Sequence, residues 1–168
     1  MKASEFIGMK VIDKDANEIG KVAELSLKLK KCLVEKIFIS TGGTLNKKYF
    51  AINTEDIANI GDYIQLNLSN IGVEGKVHYD KIEDIESEGT LFKDTVGKIV
   101  LAQKGMEVGK ISDMYIDPKG CLIHNVIIST GRTFNKKFLL ISDEDISEIG
   151  DYIILNLEKN EVKERVQN

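Results

Sequence analysis

Glu55-Asp56-Ile57-Ala58-Asn59-Ile60-Gly61-Asp62-Tyr63-Ile64 returns later in the chain as Glu144-Asp145-Ile146-Ser147-Glu148-Ile149-Gly150-Asp151-Tyr152-Ile153, 89 positions further on. Working outward at that fixed offset, residues 6–68 fall on 95–157 without a gap, and 28 of these 63 positions are identical. Ser40-Thr41-Gly42 falls on Ser129-Thr130-Gly131, and Asn46-Lys47-Lys48 on Asn135-Lys136-Lys137. Self-similarity of this kind marks an internal duplication. A unit of about 70 residues is a small domain and not one turn of a solenoid. The 168 residues therefore read as repeat one at 1–69, a charged linker at 70–94, repeat two at 95–158 and a charged tail at 159–168. Each repeat is close to the smallest size that folds alone, so docking of the two would stabilise both.

The strand signals point to an all-β fold. Residues 9–13 read as a short strand turned by Lys14-Asp15-Ala16-Asn17. Ile19, Lys21, Ala23, Leu25 and Leu27 then alternate against Gly20, Val22, Glu24, Ser26 and Lys28, the period-two pattern of a half-buried strand. A turn at Lys30-Lys31, and at Pro118-Lys119-Gly120 in repeat two, leads into strand three at Leu33–Ser40 and Leu122–Ser129. Both faces of that strand are apolar, and a barrel this small fills its own interior. The outer face, carrying Phe38 and Ile127, is therefore the expected inter-repeat contact. Lys48–Ile52 and Lys137–Ile141 follow as strand four. Asn53 and Ser142 are placed to cap single helical turns that carry acids at their N-terminal ends. Gly61 and Gly150 are expected at turns with positive φ. The fold predicted is two small antiparallel β-barrels related by the repeat and packed together.

Composition narrows the class. A hydrophobic share of 42% with 30% charged residues fits a globular protein. The net charge of −4 opposes a general nucleic-acid binder, whose domain is usually basic. Cys32 and Cys121 stand at matched positions and are too few for a disulfide framework, so two half-buried thiols in a reducing compartment are expected. No run approaches the ~20 apolar residues of a membrane span, and no secretory signal is evident. The expectation is a cytoplasmic protein whose membrane association, if it has one, comes through a partner.

A glycine after the first apolar run (Gly8, Gly97), the sequence Glu18-Ile19-Gly20-Lys21 or Glu107-Val108-Gly109-Lys110 entering strand two, and the closing Glu-Asp-Ile-x-x-Ile-Gly-Asp-Tyr-Ile-x-Leu-Asn-Leu together resemble the PRC-barrel family. Both repeats carry the whole ordered set. Many members place a proline just before the Glu-Asp-Ile segment, where this chain has Asn53 and Ser142. The resemblance implies a compact antiparallel barrel that often pairs with another copy, so a homodimer is among the expectations. Family settings include the photosynthetic reaction-centre H subunit, the C-terminal domain of the ribosome-maturation factor RimM, and small archaeal proteins. The first needs a membrane helix and the second a preceding barrel of another type. Some archaeal members resemble cell-division adaptors working with SepF, the membrane anchor of FtsZ. A SepF-type protein partner is thus what the resemblance implies for this chain, with an RNA-associated role in ribosome maturation as the alternative.

No catalytic constellation stands out. His78 lies in the linker, and His124 has Glu35 as its counterpart in repeat one, so no histidine serves both copies. Ser40-Thr41-Gly42-Gly43-Thr44 leads into a strand, so it lacks the helix N-terminus of a phosphate loop. No catalytic residue, cofactor site or metal site is expected. Lys47, Lys48, Arg132, Lys136 and Lys137 form the candidate basic patch, with solvated loop charge as the competing reading and no nucleic-acid partner expected. Tyr115, Tyr152 and Ile154 form the candidate partner surface. There repeat one has Ser26, Tyr63 and Gln65, and Leu140 likewise replaces Ala51. The competing reading covers that surface with the linker or tail. A groove between the copies that takes a small ligand is a third possibility.

Overall fold

The computed structural model describes residues 1–131 and 135–166. Repeat one opens with a helical turn, α1 (Ala3–Phe6). Six strands follow: β1 (Lys10–Ile12), β2 (Glu18–Lys28), β3 (Leu33–Thr41), β4 (Lys48–Ile52), β5 (Ile57–Ile60) and β6 (Ile64–Leu66). After α2 (Asn70–Glu74) and the rest of the linker come β7 (Thr90–Leu91) and α3 (Phe92–Thr95). Repeat two then gives β8 (Ile99–Leu101), β9 (Glu107–Asp117), β10 (Leu122–Thr130), β11 (Lys137–Ile141), β12 (Ile146–Ile149) and β13 (Ile153–Leu155), closed by α4 (Lys159–Arg165). Within repeat one the strands lie in the order β4-β3-β2-β1-β6-β5, and repeat two copies that order. Neighbours are antiparallel except β1 with β6 and β8 with β13, which run parallel.

Ile37, Ile39, Phe50, Ile52, Ile64 and Leu66 fill the first barrel, and their counterparts from Val126 to Leu155 fill the second. The simple alternation expected for strand two does not hold throughout. Val22 is buried where Ala23 is not, and Glu24, Leu25, Ser26 and Leu27 are then buried in a row. The cause is a register break between Val22 and Glu24, with a second between Ser26 and Leu27. A bulged residue shifts every later side chain to the opposite face. Gly20 sits where β2 crosses closest to β3: a Cβ there would lie 1.7 Å from the Ser40 carbonyl oxygen, and at Gly109 2.1 Å from that of Ser129. Gly61 and Gly150, by contrast, do not adopt positive φ. The left-handed turns fall instead at Gly42 (φ 85°) and Gly131 (φ 84°), where the loop before strand four doubles back.

The repeats join in one continuous sheet of thirteen strands, with β3 and β10 meeting antiparallel at Leu33 and Leu122. The Val34 amide donates to the Cys121 carbonyl at 3.0 Å, and the Ile123 amide to the Cys32 carbonyl at 2.8 Å. Cys32 (φ 52°) and Cys121 (φ 61°) take the left-handed conformation there, which costs roughly 1–2 kcal/mol for a non-glycine residue. The two cross-repeat hydrogen bonds help to hold that geometry. Phe38 and Ile127 lie five residues further along their strands and are both buried, outside the main core.

A second link is reciprocal. The Lys2 segment bridges to Tyr115 on β9, and the Ile116 amide donates to the Met1 carbonyl at 2.8 Å. The Ser4 amide donates to Asp113 Oδ1 at 3.2 Å, and its hydroxyl donates to Oδ2 of the same carboxylate. In return β7 pairs with β2, Leu91 opposite Ser26, and the Lys93 amide donates to Glu24 Oε2 at 3.3 Å. The offset of 89 carries Lys2 onto Leu91, Ser4 onto Lys93 and Glu24 onto Asp113. Each repeat thus lays its first residues across the other. The arm at 90–95, whose residues 90–94 read from sequence as the end of the linker, is the start of repeat two.

The arm contact generates a stability prediction. Asp113→Ala leaves the Ser4 amide and hydroxyl without their acceptor, which should cost about 1–3 kcal/mol. Denaturant unfolding of the wild type is expected in a single transition, with the variant shifted to a lower midpoint. Two resolved transitions would mean that the arms do not couple the repeats.

Candidate interaction surfaces

The outer face of repeat one is occupied by the linker. The Tyr49 amide on β4 donates to the Tyr79 carbonyl and the Tyr79 amide returns to the Tyr49 carbonyl, both at 2.8 Å. Lys48 pairs with Asp80. Lys36 Nζ donates to the Glu86 carbonyl. Glu35 gathers the end of the segment: its carboxylate accepts from Ser26 Oγ (2.5 Å), Ser87 Oγ (2.8 Å) and the amides of Glu88 (3.0 Å) and Gly89 (2.9 Å). Burial alone would push the Glu35 carboxyl up. The hydrogen bonds from Ser26, Glu88, Ser87 and Gly89 outweigh it and hold the pKa at about 2. At Glu24 the balance is reversed, and burial keeps that carboxyl above its ordinary range despite the amides of Leu25 and Lys93.

Repeat two presents the corresponding face differently. Phe138 stands at the Tyr49 position and is 42% exposed. Leu140, two residues on along β11, points to the same side and is half-buried. β11 pairs with β10 alone, so among the described residues its other edge carries no strand. His124 replaces Glu35 and is exposed.

The residues singled out from sequence are placed as follows. Ile154 points outward from β13 between the buried Ile153 and Leu155, and with Tyr152 it is exposed. In repeat one the matching Gln65 accepts a hydrogen bond from Asn59 Nδ2 at 3.1 Å. Tyr115 does not join that pair. Ile154 is opposite Leu101, which is opposite Glu107, eight residues from Tyr115 along β9, and Tyr115 is half-covered by the Lys2 arm. The basic residues separate as well. Lys47 and Lys48 lie at the far end of β3, Lys136 and Lys137 at the far end of β10, on opposite sides of the Leu33–Leu122 junction. Arg132 lies outside the described residues.

The chemistry available is modest. His78 packs 5.0 Å from Phe50, ring to ring, with Nδ1 2.8 Å from the Lys76 carbonyl oxygen. Among the described residues no group of three His, Cys, Asp or Glu could hold a metal. Both thiols are free, and burial followed by the nearby Asp143 pushes that of Cys32 up, away from the reactive thiolate. The acids before β5 and β12 serve the backbone: Asp56 accepts from the Asn53 amide and Asp145 from the Ser142 amide, each at 3.0 Å. In both turns it is the acid at the third position that reaches back to the capping residue. Asp145 also meets Arg165 at 2.6 Å, as Asp56 meets Lys76 at 3.6 Å, so the repeat extends through α2 and α4. The tail read as loose charge carries α4, with Val162 buried.

Two grooves flank the junction of the repeats. One, about 430 Å³, is floored by Leu27, Leu29 and Ile149 and rimmed by Lys28, Lys31 and Lys98. Lys28 is paired with Glu88 at 2.9 Å, and Lys98 donates to the Gly150 carbonyl at 2.8 Å. Its symmetry mate, about 500 Å³, is lined by Met1, Ile60, Pro118, Asp117 and His124. No polar constellation is shared by both.

Compared with known families, residues 1–70 and 89–161 each match the PRC-barrel domain. The second match begins with the crossed arm, in agreement with the exchange of N-terminal segments. Among curated proteins no match is found.

The Glu35 cluster sets a pH dependence. An acid held at about 2 in the fold, against an ordinary 4.5, stabilises the docked linker fully above the ordinary value. That contribution is lost as pH falls from about 4.5 towards 2. The amide resonances of Glu88 and Gly89 should report the titration with a midpoint near 2, and Glu35→Gln should abolish it. A wild-type midpoint at 4.5 would show that the linker is not bound through Glu35.

Proposed function

Because the chain belongs to the PRC-barrel family, we propose that it is a non-enzymatic adaptor whose two fused barrels present binding surfaces to protein partners. One observation carries this reading. The duplication has kept the barrel and changed its outside: the hydrogen-bonded Asn59–Gln65 pair of repeat one is replaced by Glu148 and an exposed Ile154 beside Tyr152. Exposed apolar clusters of this kind often mark contact sites. Cores that stay apolar at matched positions beneath diverged faces suit a scaffold.

Within that class we assign the chain to archaeal cell division, with a SepF-type anchor of FtsZ as its partner. The support is the resemblance to small archaeal family members. On this reading the protein is cytoplasmic and reaches the membrane through its partner. No described helix is long and apolar enough to cross a bilayer. The ribosome-maturation alternative draws on the basic loops, which lie at opposite ends of the β3–β10 ladder, with Lys48 already paired to Asp80. A track for single-stranded RNA calls for contiguous basic and aromatic groups.

Calorimetric titration with the SepF-type protein of the same cell tests the proposal. Ile154→Gln restores the repeat-one residue and should weaken binding by about 1–2 kcal/mol, the worth of one buried aliphatic side chain, with the fold unchanged by circular dichroism. Equal affinity in the two proteins would remove this face from the interaction. Co-purification of ribosomal RNA without the SepF-type protein would favour the alternative.

A further inference from the structure

The covered face of repeat one shows what the open face of repeat two is built to take. Along β4 the linker pairs backbone to backbone at Tyr49 and Tyr79, sets Asp80 on Lys48, and runs on past the buried Phe38 to Glu35. The offset of 89 maps Lys48, Tyr49 and Ala51 onto Lys137, Phe138 and Leu140. The β10–β11 ladder repeats the β3–β4 ladder pair for pair, Phe138 opposite Ser129 as Tyr49 is opposite Ser40. The amide and carbonyl of Phe138 therefore face the strand edge, as those of Tyr49 do. Among the described residues they meet no strand, and Lys137 has no ion pair.

We propose that the edge of β11 in repeat two binds an extended acidic segment of a partner protein, which adds as an antiparallel strand. The proposal rests on the adaptor reading and adds to it a second contact, apart from the Tyr152–Ile154 face. An exposed strand edge is a template for an added strand: main-chain hydrogen bonds supply affinity, and alternate side chains supply choice. Choice here follows from charge. The linker stretch Val77–Ser87, which covers the equivalent edge, holds four acids against one lysine, and Lys136 and Lys137 offer complementary charge on repeat two. The apolar share is larger than in repeat one, because Phe138 and Leu140 replace Tyr49 and Ala51. Repeat two also lacks the Glu35 carboxylate that collects the Glu88 and Gly89 amides and has His124 instead, a ring able to donate. The matching position of the partner segment is therefore a carboxylate rather than bare amides.

The probe is a synthetic peptide with the sequence Val77–Ser87, titrated into the full isotope-labelled chain up to about 1 mM, the weak limit of a specific contact. The amide resonances of Lys137 to Leu140 should shift saturably while those of β4, held by the linker in place, do not. Lys137→Glu, checked for folding by circular dichroism, should weaken the association at least tenfold, and the same charge reversal at the exposed Lys14, in the turn after β1, should leave it unchanged. No shift at β11, shifts confined to β4 or to the Tyr152–Ile154 face, or full binding by Lys137→Glu would each overturn the proposal. So would shifts of the same amides on concentrating the chain alone, which would make the edge a homodimer contact, or saturable shifts with an RNA oligonucleotide in place of the peptide. Any of these can occur while binding of the SepF-type protein through Ile154 persists, so the adaptor reading stands or falls separately.

Discussion

Two nearly buried carboxylates, Glu24 and Asp113, each receive a backbone amide from the arm of the other repeat. A buried acid without donors is costly, and so is a strand edge without a partner. The arms remedy both at once: they supply N–H groups to the acids and an added strand segment to β2 and β9. Neither barrel retains these partners if the two separate. The Leu33–Leu122 ladder depends on the same docking, because the left-handed Cys32 and Cys121 turn their carbonyls towards the opposite repeat. A duplication that could have yielded two beads on a string gives one sheet instead.

Fusion also broke the symmetry. In repeat one the stretch that leads to the second copy crosses β4 and closes its edge. It is fixed at its two ends by Lys48 with Asp80 and by the Glu35 cluster. Exposed ion pairs contribute little by themselves, whereas a carboxylate that accepts four hydrogen bonds can anchor a loop. In repeat two the corresponding strand has no second strand partner among the described residues, although α4 touches it, and its outward side chains are more apolar. The cores meanwhile keep apolar residues at matched positions, with exchanges such as Phe50 for Leu139 that change volume without adding a polar atom.

Much of the barrel was legible in the chain. Strands three and four and the closing Gly-Asp-Tyr segment came out at nearly their observed bounds, since period-two alternation and turn residues are local signals. Local reasoning failed where the backbone departs from regularity. The bulge at Ala23 moves Val22 to the inside, and no residue type announces it. The left-handed positions of the β2–β3 corners fall on cysteines, while Gly61 and Gly150, which looked designed for such turns, are in ordinary conformations. Of the candidate surface, Ile154 and Tyr152 were readable from alternation and from comparison of the repeats. Tyr115 was not separable from them without knowing how far along β9 it lies.

The sequence alone determined that there are two copies of one barrel, where most of their strands run, and which apolar positions of strands three and four recur in both. These follow from periodicity and from the 89-residue offset, which survive in a linear string. Only the tertiary structure decided where the copies join, that their first residues are exchanged, and that the linker adds to the edge of β4 while, among the described residues, no strand adds to that of β11. Those outcomes depend on contacts between residues some 30 to 115 positions apart. Backbone amides and carbonyls make most of those contacts. Every residue but proline carries both groups, so no pattern of side chains records which of them will meet.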